Sequence, residues 1–298
     1  MRFLLAIKDT SSESRNTLKI AATIAQGFHA DISVVYTGPK ARGMIANEVA
    51  MAQKSLNDWN IHHPGIGVLQ WAYESLQELG FIPEDEGGFS PGNLIEESGR
   101  IRMVLPQYSG EKIRLILREG NLLTELKKES EFRSYELAII GASNSKRRIH
   151  QLIQFIDTSV LVVRNFNPDW NYKILLCVDD SKATKRAVIF GARTAKQFNA
   201  HVNMITVSKR KSFGKGYLNA SKWGNKYLSL QKIPHTVSLV SGNPTDIFCK
   251  KAGTDHIIVM GKGTKNEFLK FFLGSKPIHT AQRAKCPVLI VRPFKEKS

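Results

Sequence analysis

The chain repeats itself, and that constrains its fold more than any other feature does. Phe3 to Thr10 line up with Ile174 to Ser181, and Gly120-Asn121 with Gly242-Asn243. Leu137 to Gly141 line up with His256 to Gly261, and Val160 to Arg164 with Val288 to Arg292. The same landmarks in the same order, twice over, mean that one structural plan is used twice. At 298 residues there is length for two ordinary domains, each able to bury a core.

In each copy, short apolar runs alternate with amphipathic stretches, the pattern of a parallel sheet covered by helices on both faces. In the second copy the strands are expected at about 172–178, 202–207, 235–240, 256–260 and 288–292, and the helices at 182–198, 215–231, 244–252 and 275–284. The predicted boundaries are a first domain over 1–166 and a second over 171–298, joined by a short linker containing Pro168. The first copy carries an expansion over 39–110. There two helical stretches, about 44–59 and 67–79, are expected on either side of His62-His63-Pro64-Gly65, followed by a Gly/Pro-rich acidic loop and a strand over Arg100 to Tyr108.

Chemistry concentrates after the apolar run Ile257 to Met260. Gly261, Gly263, Gly274 and Ser275 lie in one segment ahead of the last predicted helix. Glycines let a backbone approach an anion closely, and a Gly-Ser pair opening a helix supplies unpaired N–H groups, a hydroxyl and the positive end of the helix dipole. The segment therefore reads as a phosphate cradle. It is neither a Walker loop, because glycine follows Lys262, nor a Gly-x-Gly-x-x-Gly fingerprint, because position 266 is Asn.

The spacing resembles the nucleotide motif of the universal stress protein family, Gly-x2-Gly-x9-Gly-[Ser/Thr]. Gly261, Gly274 and Ser275 are in register, and Thr264 stands in place of the second glycine. Tyr172 to Val178 followed by Asp179-Asp180-Ser181 is similar to that family's first strand and turn; Gly242-Asn243-Pro244 and Cys286-Pro287 match later landmarks. The resemblance implies two tandem Rossmann-like (adenine nucleotide alpha hydrolase-like) α/β domains, each a five-stranded parallel sheet with helices on both faces. It also implies a stress-response protein that binds ATP or another adenine nucleotide, able to carry Mg2+, as a regulatory ligand. By that resemblance Val178 and Asp179 lie at the adenine and ribose end and Val207 against the base. Met260 and Gly261 fall at the ribose and first phosphate; Gly263, Thr264, Gly274, Ser275 and Lys276 fall toward the outer phosphates.

The copies are not equivalent. From Gly261 to Val288 is 27 positions and from Gly141 to Val160 only 19, so the first copy lacks the Gly-Ser pair. Lys8 also lines up with Asp179. The first copy is expected to be a scaffold that binds no nucleotide, paired with the second through their fifth strands as a pseudo-dimer that can associate further into a homodimer.

Composition narrows the alternatives. No run reaches the roughly 18 consecutive apolar residues of a membrane span, and the amino terminus runs straight into a strand, so a cytoplasmic protein is expected. Cys177, Cys249 and Cys286 are scattered in apolar surroundings and read as buried thiols, with no metal-ligand spacing. No nucleophile or zinc motif is present, so binding is expected with at most slow ATP hydrolysis. Residues 168–298 hold 24 Lys and Arg against 7 Asp and Glu, which accounts for the net charge of +17. A rival reading follows: a nucleotide-independent interaction protein whose basic half docks an acidic partner or nucleic acid. Nucleic acid is expected to bind weakly and non-specifically, because the aromatic residues from Phe213 to Tyr227 recur at helical spacing and suit a buried face better than base stacking.

Overall fold

A computed structural model describes residues 1–38, 64–83, 88–97, 99–106, 111–142, 145–262 and 276–294. The first half builds β1 (Arg2–Ile7), α1 (Ser12–Gly27), β2 (Asp31–Gly38), α2 (Pro64–Glu78), β3 (Ile95–Glu97), β4 (Arg100–Pro106), β5 (Lys112–Glu119), α3 (Leu122–Phe132), β6 (Leu137–Gly141), α4 (Lys146–Phe155) and β7 (Ser159–Val163). The second builds β8 (Lys173–Cys177), α5 (Thr184–Gln197), β9 (Val202–Ser208), α6 (Lys215–Leu230), β10 (His235–Ser241), α7 (Pro244–Ala252), β11 (His256–Gly261), α8 (Lys276–Arg283) and β12 (Val288–Val291). All strands join one sheet in the order β10-β9-β8-β11-β12-β7-β6-β1-β2-β5-β4-β3. Each half contributes five parallel strands; the first adds β4 and β3, both antiparallel.

The strands follow the apolar runs because both faces of the sheet are covered: every residue of β7, β11 and β12 is buried, and apart from Ser159 and His256 at two strand starts none of them is polar. The repeated Gly-Asn has a local cause. Gly120 and Gly242 take φ of 136° and 143°, where a side chain is strained. Their N–H groups bond back to Gly38 and Ser208, and the following Asn121 and Asn243 cap α3 and α7 through Leu123 N–H and Thr245 N–H.

The halves meet where β12 pairs antiparallel with β7, Leu289 opposite Leu161. On one face α1 packs against α5, on the other α4 against α8. A Cβ on Gly27 would fall 2.9 Å from Gln197 Cβ, and the Phe28 and Phe190 rings lie 4.8 Å apart, so the first pair crosses closely. Arg292 ends β12 by donating to the carbonyls of Ile156 and Thr158, at 2.8 and 3.0 Å, and pairing with Asp157. Burial lowers the pKa of this guanidinium against the pull of Asp157.

One expectation for the expansion changes. Pro64-Gly65, read as a break between helices, instead opens α2, where proline's missing N–H costs nothing. The expected helix over 44–59 lies outside the described residues. The strand at Arg100 is present, and it is held by charge: fully buried Glu129 of α3 accepts from Arg100 of β4 at 2.8 Å, Arg118 of β5 at 2.6 Å and the Tyr135 hydroxyl at 3.0 Å. Burial, and then the Glu129 charge, push the Tyr135 phenol up to about 12. Cys177 and Cys286 are buried and Cys249 half-buried, all as free thiols, and burial raises each pKa, that of Cys286 to about 12. None is poised as a nucleophile.

Candidate functional site

In the second half the chain runs outward from β8 through β9 to β10, then returns to β11 on the other side of β8. The carboxyl ends of β8 and β11 therefore border the switch point at which open α/β sheets bind ligands. Register brings the expected residues to this place. Cys177 stands opposite both Met260 and Ile205, and Val178 N–H donates to the Ile205 carbonyl at 2.9 Å, so Val178-Asp179, Val207 and Met260-Gly261 end three neighbouring strands at one level. The side chains of Val178, Val207 and Met260 are buried, leaving backbone edges as what they offer to a ligand.

Asp179 is held in place. Its Oδ1 accepts from Ser181 N–H at 3.0 Å and from the Thr184 hydroxyl at 2.7 Å, and that hydroxyl also reaches the Asp179 carbonyl. The carboxylate thus closes the turn into α5, and its Oδ2 takes no bond among the described residues. Gly261 must be glycine for a packing reason: a Cβ there would lie 2.9 Å from Ala183 Cβ and 3.3 Å from Ser181 Oγ, so the turn after β8 rests on the end of β11. Gly216, near the start of α6, is as tight against Asp180, with 3.0 Å between the two Cβ positions. Lys276 is exposed in the first turn of α8. Gly263, Thr264, Gly274 and Ser275 lie outside the described residues. Lys262 is turned away: its Nζ donates to the Ile153 carbonyl of the first half at 3.3 Å.

Ser181 and Thr184 were not singled out in the sequence, although their spacing from Asp179 was visible. The same spacing occurs at Asp9, Ser11 and Ser14, and there too Oδ1 accepts from Ser11 N–H at 3.1 Å and from the Ser14 hydroxyl at 2.6 Å. Strand register does make Lys8 the counterpart of Asp179 in the first copy, but Asp9, one residue on, does the work of Asp179. Burial tends to raise the Asp9 pKa; the Ser11 and Ser14 hydroxyls, the Ser11 N–H and Lys8 outweigh it, so the carboxyl titrates below its ordinary value of 3.8. The first copy differs at its glycine as well, since among the described residues a Cβ on Gly141 would meet only Thr17 Oγ1, at 3.6 Å.

A sequence model of the universal stress protein family matches residues 171–292. The second half of the chain is a universal stress protein domain. Solved structures extend the fold of that family over both halves. A universal stress protein from Archaeoglobus fulgidus DSM 4304 is 16% identical and covers 99% of this chain and 97% of its own, with a TM-score of 0.60. A putative universal stress protein from Pseudomonas aeruginosa UCBPP-PA14 is 13% identical and covers 98% of this chain and 93% of its own, with a TM-score of 0.58. No curated protein matches the sequence. The chain is thus a tandem of two universal stress protein folds, of which the second carries the family's sequence pattern.

A polar cavity of about 460 Å³ lies at the other end of the first half's strands, lined by Arg2, Asp31, Arg114, Arg133 and Glu136 among others. Its carboxylates are already engaged, Asp31 by Arg114 at 2.9 Å and Glu136 by Arg186 at 2.5 Å. The carboxyl ends of α1 and α3 point toward that end of the sheet, so its cations answer helix dipoles. It is not the switch-point cleft. No helix among the described residues is long and apolar enough to cross a membrane.

Proposed function

We propose that this chain is a cytoplasmic stress-response protein whose second half binds ATP, or a related adenine nucleotide, as a regulatory ligand. What carries the reading is the meeting of Asp179, Val207 and Gly261 at the carboxyl ends of β8, β9 and β11 respectively, at the switch point of the sheet. Oδ2 of Asp179, which takes no bond among the described residues, suits ribose hydroxyls, and the turn bonds fix the carboxylate before any ligand arrives. The end of β9 at Val207 would border the base, and the backbone at Met260 and Gly261 the ribose and first phosphate. Gly263, Thr264, Gly274, Ser275 and the first turn of α8 at Lys276 would take the outer phosphates, with or without Mg2+, through N–H groups and the helix dipole.

The nucleotide, in this reading, acts by binding. A ligand that prefers one arrangement of the molecule shifts the population toward it, and what a partner meets changes accordingly. Calorimetry on the full chain tests this, comparing the parent with Asp179→Asn. The amide keeps an acceptor for Ser181 and Thr184 but loses the charge and one acceptor offered to ribose. The parent should bind ATP, and the variant should bind it at least about tenfold more weakly with similar melting of the free proteins, about 1.4 kcal/mol of binding free energy. Equal binding by both would remove Asp179 from the site.

A further inference from the structure

The long sheet ends differently in its two halves. In the first half the outer parallel strand, β5, is covered by β4, which pairs with it antiparallel from Arg100 opposite Arg118 to Pro106 opposite Lys112. In the second half the corresponding strand, β10, pairs with β9 on one side and, among the described residues, ends the sheet on the other. Alternate N–H and C=O groups along its outer side are therefore directed away from the sheet.

Proteins protect such an edge with charge, proline or brevity. None of these is used here. His235-Thr-Val-Ser-Leu-Val-Ser241 carries no acid, lysine, arginine or proline, although nine Lys and Arg occur between Val202 and Ala252. The strand is also apolar where it is open: Val237 and Leu239 are 43% and 46% exposed. Val237 stands opposite Met204, whose core includes Leu228 of α6, so Val237 and Leu239 share the α6 face. An open strand edge beside an apolar strip has the two elements of strand addition: backbone bonds for affinity and side-chain contacts for specificity.

Charge selects the occupant. The nine cations between Val202 and Ala252 are all exposed, while the one acid of that stretch, Asp246, is paired with Arg283 at 2.7 Å. A second copy would set like charge against like charge; a carboxylate-bearing strand would be drawn in. We propose that the β10 edge is a docking site for an extended acidic segment of a partner protein, which adds antiparallel in the position that β4 fills in the first half. The proposal stands apart from the nucleotide site.

The test uses the full chain and two labelled peptides, one alternating Glu with Val and the other alternating Lys with Val, in fluorescence anisotropy at physiological salt. The acidic peptide should bind at least about tenfold more tightly than the basic one, with binding weakened by added salt. It should protect β10 amides from hydrogen exchange. Leu239→Glu and Val237→Glu, both at exposed positions, should each reduce acidic-peptide binding at least about tenfold while melting like the parent. No binding, equal binding of the two peptides, or undiminished binding to both variants would overturn the proposal. A parent dimer that Leu239→Glu dissolves would give the edge to a second copy instead, and would overturn it as well.

Discussion

Lys262 Nζ donates to the carbonyl of Ile153 at 3.3 Å, so the residue that follows Gly261 at the end of β11 is anchored in the other half of the chain. Its own N–H bonds the Val291 carbonyl at 2.7 Å, at the end of the strand that joins the halves. Whatever bears on Gly261 therefore bears on the junction.

Lys262→Met keeps the stem of the side chain and removes the donor. It should cost about 1 kcal/mol in urea unfolding, the usual worth of one such bond. If nucleotide rests against Gly261, hydrogen exchange at the end of α4 should respond to ATP in the parent and respond less in the variant. An unchanged response would mean that the two halves communicate by another route or not at all.

Glu129 is the pivot of the first half's extra strands, because two guanidinium groups and a phenol converge on it where it is fully buried. Removing Glu129 would leave Arg100 to half-exposed Glu97 and Arg118 to Glu125 at 3.5 Å, and breaking a buried ionic set in this way is costly. Glu129→Ala should therefore cost about 3–5 kcal/mol, against less than about 1 kcal/mol for removing exposed Glu131, which pairs only with exposed Lys127. Denaturant unfolding of the two variants gives the comparison. Similar losses would show that the network contributes no more than a surface pair.

Much of this architecture was legible because buried parallel strands leave an apolar record: the strand expected at about 256–260 is β11, His256–Gly261. Gly-Asn was legible too, since φ and helix capping each demand a particular residue. Pro64-Gly65 misled because proline opens a helix as readily as it ends one. Ile95 to Glu97 gave no warning, for a three-residue exposed edge strand is defined by its partner and not by its own pattern. At the candidate site, glycine at 261 was read as room for phosphate, whereas its nearest neighbours are Ala183 and Ser181. The role of Asp9 was hidden by an alignment that followed the strands, while the turn that uses a carboxylate starts one residue later than in the second copy.

Asp9 carries a pH dependence whose sign is fixed. Its folded pKa lies below the ordinary 3.8, so its contribution to stability is present above that value and is lost as pH falls through the lower, folded one. Asp9→Asn should be less stable than the parent at neutral pH, by a modest amount because the group is half exposed. The difference should shrink as the pH drops below about 4. Melting curves from neutral to acid conditions would show it; a gap that stays constant would mean that the amide fails for steric reasons and that the charge is irrelevant.

The last prediction is stoichiometry: one nucleotide per chain, held by the second half. Both copies use a carboxylate to close the turn after the central strand, so the aspartate alone does not separate them. The difference lies beyond Gly141, where the first copy is eight residues shorter than the second and has no Gly-Ser pair ahead of its last helix. Ser275 immediately precedes α8, and Ser275→Glu would set a negative charge where the outer phosphates are expected. An acidic residue at a helix amino terminus favours the free helix, so the unbound variant should melt like the parent. Calorimetry with ATP should give one site in the parent and none in the variant. Two sites would mean that the Asp9 turn suffices without a Gly-Ser helix start. An unchanged site in Ser275→Glu would move the phosphates away from α8. No binding by the parent would point to Thr264, the residue standing where the family pattern has glycine, and Thr264→Gly should then restore it.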